Sequence, residues 1–102
     1  MKLKEFIKDI FDTTIDDLNS GGTIDGLLNN TIEELGEYAG ALTVEKGLKN
    51  KTLKESSMHE AVDLLICAFS LFKASGGTIE EFKSYGQIKL GKWKKRIKDK
   101  SC

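Results

Sequence analysis

Two groups of acidic residues have the spacing that a metal ion requires. Glu33, Glu34 and Glu37 form the first group, and Glu60 and Asp63 form the second after an interval of 22 residues. Acidic residues three or four positions apart lie on neighbouring turns of one side of a helix. Two unit charges about 4 Å apart repel by about 4 kcal/mol at an effective dielectric of 20, so converging carboxylates need protons or cations. The two groups therefore predict a metal site between two packed helices.

Asp63 lies in a setting that differs from ordinary surface charge. From Ala61 to Phe72 only Asp63 and Ser70 are polar. A helix that is apolar on all sides is typical of a buried position, and a buried carboxylate needs a partner. Asp63 is therefore the acidic residue whose type and surroundings favour a metal ligand most strongly.

The candidate ligands are all oxygen atoms, which decides the kind of metal. His59 and Cys67 are the nearby alternatives, but neither has a second soft partner. We expect His59 to be exposed at the start of its helix and Cys67 to be a small core residue. Hard Mg²⁺, or Mn²⁺ in its place, suits such a site better than zinc. Because carboxylate-bound Mg²⁺ commonly takes its remaining ligands from water and substrate phosphates, the site points to a nucleotide.

Simpler interpretations exist for three of the acids. Thr31 to Glu34 has the form of a capping box, so Glu34 would merely cap a helix that begins near Thr31. Glu37 would be equally ordinary as a solvated charge, and Glu60 as a first-turn acid that interacts with the helix dipole. These alternatives are open at the level of sequence.

Composition and spacing predict the elements that must position these residues. The chain has 102 residues and no proline, with 39% hydrophobic and 31% charged residues, which favours one all-α domain over residues 1–102. Apolar residues recur at steps of three and four, and glycine pairs separate the periodic segments. Helices are predicted over residues 2–19, about 24–46, about 54–74, and from about 79 into a basic tail at 94–102.

The second and third predicted helices differ in how they should pack. The second has a single apolar stripe, expected to face the core, made of Leu28, Ile32, Leu35, Ala39 and Leu42. The third is apolar on every side, and three other short helices cannot surround it completely. We therefore expect a partner subunit to cover its remaining face.

Charge and cysteine content restrict the cellular setting. The net charge is zero, but residues 1–30 and 31–63 carry −3 each and residues 64–102 carry +6. Two cysteines cannot form the multi-bridge framework of a small secreted domain, and the first residues lack the apolar stretch of a secretory signal. No apolar run approaches the roughly 20 residues that cross a bilayer. We expect a cytoplasmic protein without a membrane partner.

The acidic groups also resemble those of a known family. Glu33-Glu34-Leu35-Gly36-Glu37, followed by Glu60-Ala61-Val62-Asp63, resembles the EExxE and ExxD signature of the MazG-like all-α nucleoside triphosphate pyrophosphohydrolases. Lys92-Trp93-Lys94-Lys95-Arg96 is similar to the basic and aromatic segment near the end of that family's domain. The family's helical core would cover about residues 24–98, with the first helix as a preceding or additional element.

This resemblance implies a fold, an activity and a set of site residues. The fold would be a four-helix-type bundle assembled as a dimer or tetramer, and the substrate a nucleoside or deoxynucleoside triphosphate hydrolysed to monophosphate and pyrophosphate. The implied Mg²⁺ ligands are Glu34, Glu37, Glu60 and Asp63. Glu33 would be an auxiliary ligand or the group that accepts a proton from the attacking water. Lys92 and Arg96 would bind substrate phosphates, and Trp93 would stack on the base.

Two other functions fit parts of the pattern. The first is a non-catalytic oligomeric helical scaffold, in which the acids are structural. The second is a nucleic-acid accessory protein that uses the basic C-terminal tail, although a single short run without a reading helix or interleaved aromatics disfavours nucleic acid as a partner. The same run also suits a solvated helix end, where cations are favourable to the dipole.

Overall fold

The computed structural model describes residues 1–48, 52 and 55–100, which form four helices and no strand. These are α1 (Leu3–Asn19), α2 (Ile24–Glu45), α3 (Ser57–Ala74) and α4 (Ile79–Lys100). The prediction of an all-α chain is confirmed for this part of the sequence. Most of the lysine-rich connection between the second and third helices, with Lys49, Lys51 and Lys54, lies outside the described residues, as does Cys102.

The helix boundaries follow from their capping residues. Gly21 and Gly76 adopt φ values of 104° and 93°, in the left-handed region that side chains disfavour, and they end α1 and α3. The Thr23 hydroxyl accepts a hydrogen bond from the Gly26 N–H at 3.0 Å, which fixes the start of α2. Thr31 therefore lies inside α2, and the interpretation of Glu34 as a cap of a helix starting there is wrong.

A core of aromatic and aliphatic side chains joins α1 to α3. Ile7, Ile10 and Phe11 of α1 are buried, as the spacing predicts. The Phe11 ring lies 6.4 Å from the ring of Phe69 and 6.0 Å from that of Phe72, measured between centroids. Burial of these rings supplies much of the apolar contact that holds α1 against α3.

The predicted apolar stripe of α2 does not face the core of the single chain. Leu28, Ile32 and Leu35 are 47%, 59% and 53% exposed. The prediction is wrong because α2 is rotated so that another side of the helix meets α3. The half-buried or buried residues on that side are Leu27, Thr31, Glu34, Tyr38 and Ala41. An amphipathic stripe shows which side chains need cover, but it does not show whether the same chain supplies it.

One side of α3 is also open. Met58, Val62 and Leu65 are 69%, 49% and 56% exposed. The other helices of this short chain therefore leave part of the apolar helix uncovered, as the sequence predicts. We use the name α2/α3 apolar face for these three residues together with the exposed Leu28, Ile32 and Leu35, which are large exposed apolar side chains of the two helices. Large exposed apolar side chains of this kind are typical of an interaction surface.

Helix α4 leaves the other three helices after its first turns. Its axis is bent by 115° from α3, and it is held at its start by Phe82, whose ring lies 5.0 Å from the Phe69 ring and 5.9 Å from the Phe72 ring. The helix continues through Lys100, so the residues of the predicted basic tail from 94 to 100 are helical. The radius of gyration is 16.4 Å, against about 13 Å for a compact domain of this length.

None of the described helices is by itself long and apolar enough to cross a bilayer. Helices α3 and α4 reach that length and hydropathy only when they are taken together across their bend.

Candidate metal centre

The candidate site lies between α2 and α3, which run antiparallel. Glu45 at the end of α2 accepts hydrogen bonds from Ser57 at the start of α3, through the Ser57 N–H at 2.8 Å and through the Ser57 hydroxyl. These bonds lower the pKa of the Glu45 carboxyl, the hydroxyl having the larger effect and the N–H the smaller. The same pairing of the two helices brings the acidic groups of α2 and α3 to the same level.

Five carboxylates form two overlapping groups at this level. One oxygen each from Glu34, Glu37 and Glu60 lie within 4.8 Å of one another, and so do oxygens of Glu55, Glu60 and Asp63. Glu60 belongs to both groups. Oxygens at this separation can share one cation, because a divalent ion with ligands 2.0–2.6 Å away spans about 4–5 Å between opposite ligands.

Two of these oxygens are buried and have no hydrogen-bond partner. They are the Oε2 atoms of Glu34 and Glu60, although both residues are only half-buried as a whole. Burial raises the pKa of Glu34, and the negative charge of Glu37, a hydrogen bond with the Glu37 carboxyl and the charges of Asp63 and Glu60 raise it further. The pKa of Glu60 is also raised, first by burial and then by the charges of Glu37 and Glu55. A buried acceptor without a donor costs free energy until a proton or a cation reaches it.

The two softer candidate ligands are placed as the sequence predicts. Cys67 is half-buried between the helices, and its thiol pKa is raised first by burial and then by the charge of Glu34, which favours the neutral thiol. His59 is exposed in the first turn of α3, where its Nδ1 lies 2.9 Å from the Ser56 hydroxyl. Neither residue belongs to the carboxylate groups of the described chain, so the site is a hard oxygen site.

The predicted acids are distributed unevenly around the centre. Glu34, Glu37 and Glu60 fall in one group, whereas Asp63 falls in the other group, which shares only Glu60 with the first. Glu33 is exposed on α2 and belongs to neither group, although it lies one helical turn before Glu37 on nearly the same side of the helix.

The basic and aromatic residues lie elsewhere. Lys92 and Arg96 line a shallow pocket on α4, and its other lining residues are Lys89 and Lys95. Trp93, on the same projecting helix, is 57% exposed. A single chain therefore does not bring Lys92, Trp93 or Arg96 to the carboxylates.

Glu55 is an acidic residue of the site that the spacing rule did not select. It precedes Ser56, whose hydroxyl accepts a bond from the His59 N–H at 3.4 Å and caps α3. Residues before a cap leave the helical path, so their positions do not follow the three- and four-residue steps of a helix face. The signal available in the sequence is the acid directly before a Ser cap.

Comparison with family models, with curated proteins and with solved structures finds no match for this chain. The resemblance to the MazG-like pyrophosphohydrolases stays a prediction that rests on the acidic motifs and on the basic segment.

The residues present fit Mg²⁺. The donors are carboxylate oxygens, two of them are buried without a partner, and their mutual repulsion falls when a divalent cation binds. A site open to solvent on the Glu37 and Glu55 side leaves coordination positions for water and for phosphate oxygens, since both residues are exposed.

Proposed function

We propose that this chain is a Mg²⁺-dependent pyrophosphohydrolase that converts a nucleoside or deoxynucleoside triphosphate to the monophosphate and pyrophosphate. The observation that carries the proposal is the pair of unpartnered, buried Oε2 atoms of Glu34 and Glu60 beside the carboxylate of Glu37. Protons shared with Glu37 relieve part of the repulsion between these carboxyls, and a divalent cation relieves more of it. A polyphosphate substrate would need the same cation, because its oxygens are also negatively charged.

Each acidic residue has a role in the proposed reaction. Glu34, Glu37, Glu60 and Asp63 hold the metal, and Glu55 extends the ligand set. When bound, Mg²⁺ neutralises the phosphate oxygens and lowers the pKa of a coordinated water. Water adds to phosphorus as the α,β-bridging P–O bond breaks, so that the bridging oxygen leaves with pyrophosphate. Glu33, at the edge of the cluster, is the proposed acceptor of the proton that the water loses.

The proposal includes a second copy of the chain. The α2/α3 apolar face is exposed in one chain, and burying a side chain of the size of Leu or Ile stabilises by about 1.5–3 kcal/mol. Lys92, Trp93 and Arg96 extend away from the carboxylates on α4, so self-association is a means of bringing them near a substrate. We expect a dimer or a tetramer that acts in the cytoplasm.

The test is pyrophosphate release from a panel of nucleoside and deoxynucleoside triphosphates, with and without Mg²⁺. Activity should require the metal and fall about 100-fold or more in Glu37→Gln and in Asp63→Asn. Asp16→Asn is the matched control, because Asp16 is an exposed carboxylate of α1 outside both groups. Full activity in both ligand variants, with the fold intact by circular dichroism, would contradict the proposed mechanism.

A second candidate function is suggested by the charge of α4. Lys89, Lys92, Lys95 and Arg96 lie on one side of a projecting helix, an arrangement that can follow a phosphate backbone. An accessory protein of this kind would bind DNA or RNA with an affinity that falls steeply with salt, and it would need neither acidic group. A non-catalytic scaffold would instead show thermal stability that is indifferent to Mg²⁺.

A further inference from the structure

A groove lies between α1 and α2 and is separate from the carboxylate groups. Its volume is about 430 Å³, which is within the usual range for small-molecule sites. Ile10, Leu27 and Ile66 supply apolar lining, and Ile10 is buried. The polar lining residues are Asp9, Thr13, Thr14, Asp17, Asn30 and Ser70. An apolar floor with polar groups above it suits a flat heterocycle.

The groove adjoins the candidate metal centre along two helices. On α2, Asn30 precedes Glu34 by four residues, and on α3, Ile66 follows Asp63 by three. Each interval is one helical turn, about 5 Å along the axis. A pentose separates the phosphate and the base of a nucleotide by a comparable distance. A nucleotide whose phosphates are at the carboxylates can therefore place its base in this groove.

The hydroxyl groups in the groove have a defined direction of hydrogen bonding. The Thr14 hydroxyl donates to the Ile10 carbonyl at 2.8 Å, and its oxygen lies 2.8 Å from the Ser70 hydroxyl oxygen. A hydroxyl carries one proton, so Ser70 must donate to Thr14. The proton of buried Ser70 is thereby committed, and its oxygen is left as an acceptor.

The acidic side chains add further hydrogen-bond acceptors to the groove. Asp9 and Asp17 are carboxylates, which accept hydrogen bonds and do not donate them. Together with the Ser70 oxygen they supply three groups that only accept, whereas Thr13 and Asn30 can each donate and accept. Cytosine carries an amino donor at N4 and adenine carries one at N6, whereas uracil and thymine present the O4 acceptor at the corresponding position and a donor at N3. Guanine carries its amino donor at N2 and has the O6 acceptor at the position that corresponds to O4.

We propose that this groove binds the base of the nucleotide and selects bases with an exocyclic amino group over uracil and thymine. The inference rests on the proposed function for the position of the phosphates. Cytosine against uracil is the sharpest comparison, because the two bases have the same size and differ at the amino-bearing edge. We expect a preference of at least about tenfold, the effect of one hydrogen bond of about 1.4 kcal/mol.

The experiment has a binding arm and a kinetic arm, both with the full chain. Binding of dCMP and dUMP is measured by NMR titration without Mg²⁺, with the methyl groups of Ile10 and Ile66 as reporters of the groove. Hydrolysis of dCTP and dUTP is measured with Mg²⁺ as kcat/KM. The groove variants are Ser70→Ala and Asp17→Asn, and Asp16→Asn on the same helix is the control.

The expected result is tighter binding of dCMP, with shifts at both reporters, and a dCTP to dUTP ratio that falls towards one in the two groove variants through KM. Asp17 is exposed, so its variant tests the groove even if Ser70→Ala is less stable. Equal affinities, a preference for uracil, unmoved reporters or a ratio unchanged by both substitutions would overturn the inference. Equal hydrolysis of dCTP and dUTP would contradict base selection by the groove but not the proposed activity. Absence of hydrolysis would contradict the proposed function, and the titrations with dCMP and dUMP would then test base selection by the groove.

Discussion

Glu45, the last residue of α2, accepts hydrogen bonds from both the backbone N–H and the hydroxyl of Ser57, the first residue of α3. This pairing connects the two helices that carry the acidic groups across a segment that is polar and rich in lysine. It fixes which turn of α2 lies opposite which turn of α3, and therefore whether Glu34 and Glu37 meet Glu60.

We expect Glu45→Gln to lower the melting temperature by a few degrees at neutral pH. The folded protein holds the pKa of Glu45 below its ordinary value of 4.5, so the stabilisation is present above that pH and is lost as the pH falls through the lowered pKa. Thermal unfolding of the wild type and the variant should converge well below pH 4.5. In a double-mutant cycle with Ser57→Ala the losses should be non-additive. Additive losses would show that the two side chains act independently.

Glu34→Gln should raise the stability of the metal-free protein at neutral pH. The pKa of Glu34 is raised from 4.5 in the folded state, so its contribution to stability is full below 4.5 and is lost as the pH rises through the folded pKa. The uncharged amide avoids that loss, and the advantage of the variant should shrink as the pH falls through the raised pKa of Glu34 towards 4.5, because the folded wild type gains its proton in that range. Glu33→Gln, at an exposed position of the same helix, is the matched control and should change little.

Binding of Mg²⁺ should make the wild type more stable than Glu34→Gln, the reverse of the order in the metal-free proteins. At a concentration about 100 times its dissociation constant, Mg²⁺ should stabilise the wild type by about 2.7 kcal/mol and Glu34→Gln by less, since the amide is a weaker ligand. Differential scanning calorimetry with Mg²⁺ and with EDTA measures both effects. An identical response of the wild type and Glu34→Gln to Mg²⁺ would remove Glu34 from the ligand set.

Ile32→Lys should convert the proposed oligomer to a monomer. Ile32 is 59% exposed in the single chain and lies on the α2/α3 apolar face, so a buried, unpaired lysine in the assembly costs several kcal/mol. Sedimentation velocity gives the state of assembly directly. Asn29→Lys introduces the same charge at another exposed position of α2 and should leave the assembly unchanged. A wild-type protein that sediments as a monomer at micromolar concentration would contradict this use of the face.

Substitution of Phe82 should affect stability and substitution of Trp93 should affect nucleotide binding, because only Phe82 packs against the core. Phe82→Ala removes ring contacts with Phe69 and Phe72 and should cost about 2 kcal/mol in the free energy of unfolding, less than a fully buried Phe. Trp93→Ala should stay within about 0.5 kcal/mol of the wild type. In the proposed assembly, where α4 of a second copy approaches the substrate, it should weaken nucleotide binding severalfold. Urea denaturation and isothermal titration with a nucleoside monophosphate separate the two effects.

The matched control for both changes is Ile88→Ala, at a position of α4 that is 57% exposed. It should alter neither stability nor binding. An unchanged nucleotide affinity in Trp93→Ala would show that α4 takes no part in nucleotide binding and is a solvated basic helix. DNA or RNA binding with a steep salt dependence would instead support the nucleic-acid alternative.

The sequence by itself determined the helices and the candidate acidic residues other than Glu55. Periodic apolar residues and capping signals such as Thr23 and Gly76 act within a few positions along the chain, so local physics decides where a helix begins and ends. The spacing of Glu34 with Glu37, and of Glu60 with Asp63, fixes the side of the helix that each pair shares. These features need no knowledge of neighbouring elements.

Tertiary structure decided how the helices are rotated and where α4 points. The stripe through Ile32 has the same pattern whether or not it faces α3, and the packing of Glu34 and Ala41 on another side of α2 leaves Ile32 59% exposed. Likewise the pattern of α4 does not encode the 115° bend that carries Trp93 away from the carboxylates. Amphipathic patterns specify that a surface must be covered, whereas the covering partner depends on long-range contacts whose energies differ by only a few kcal/mol.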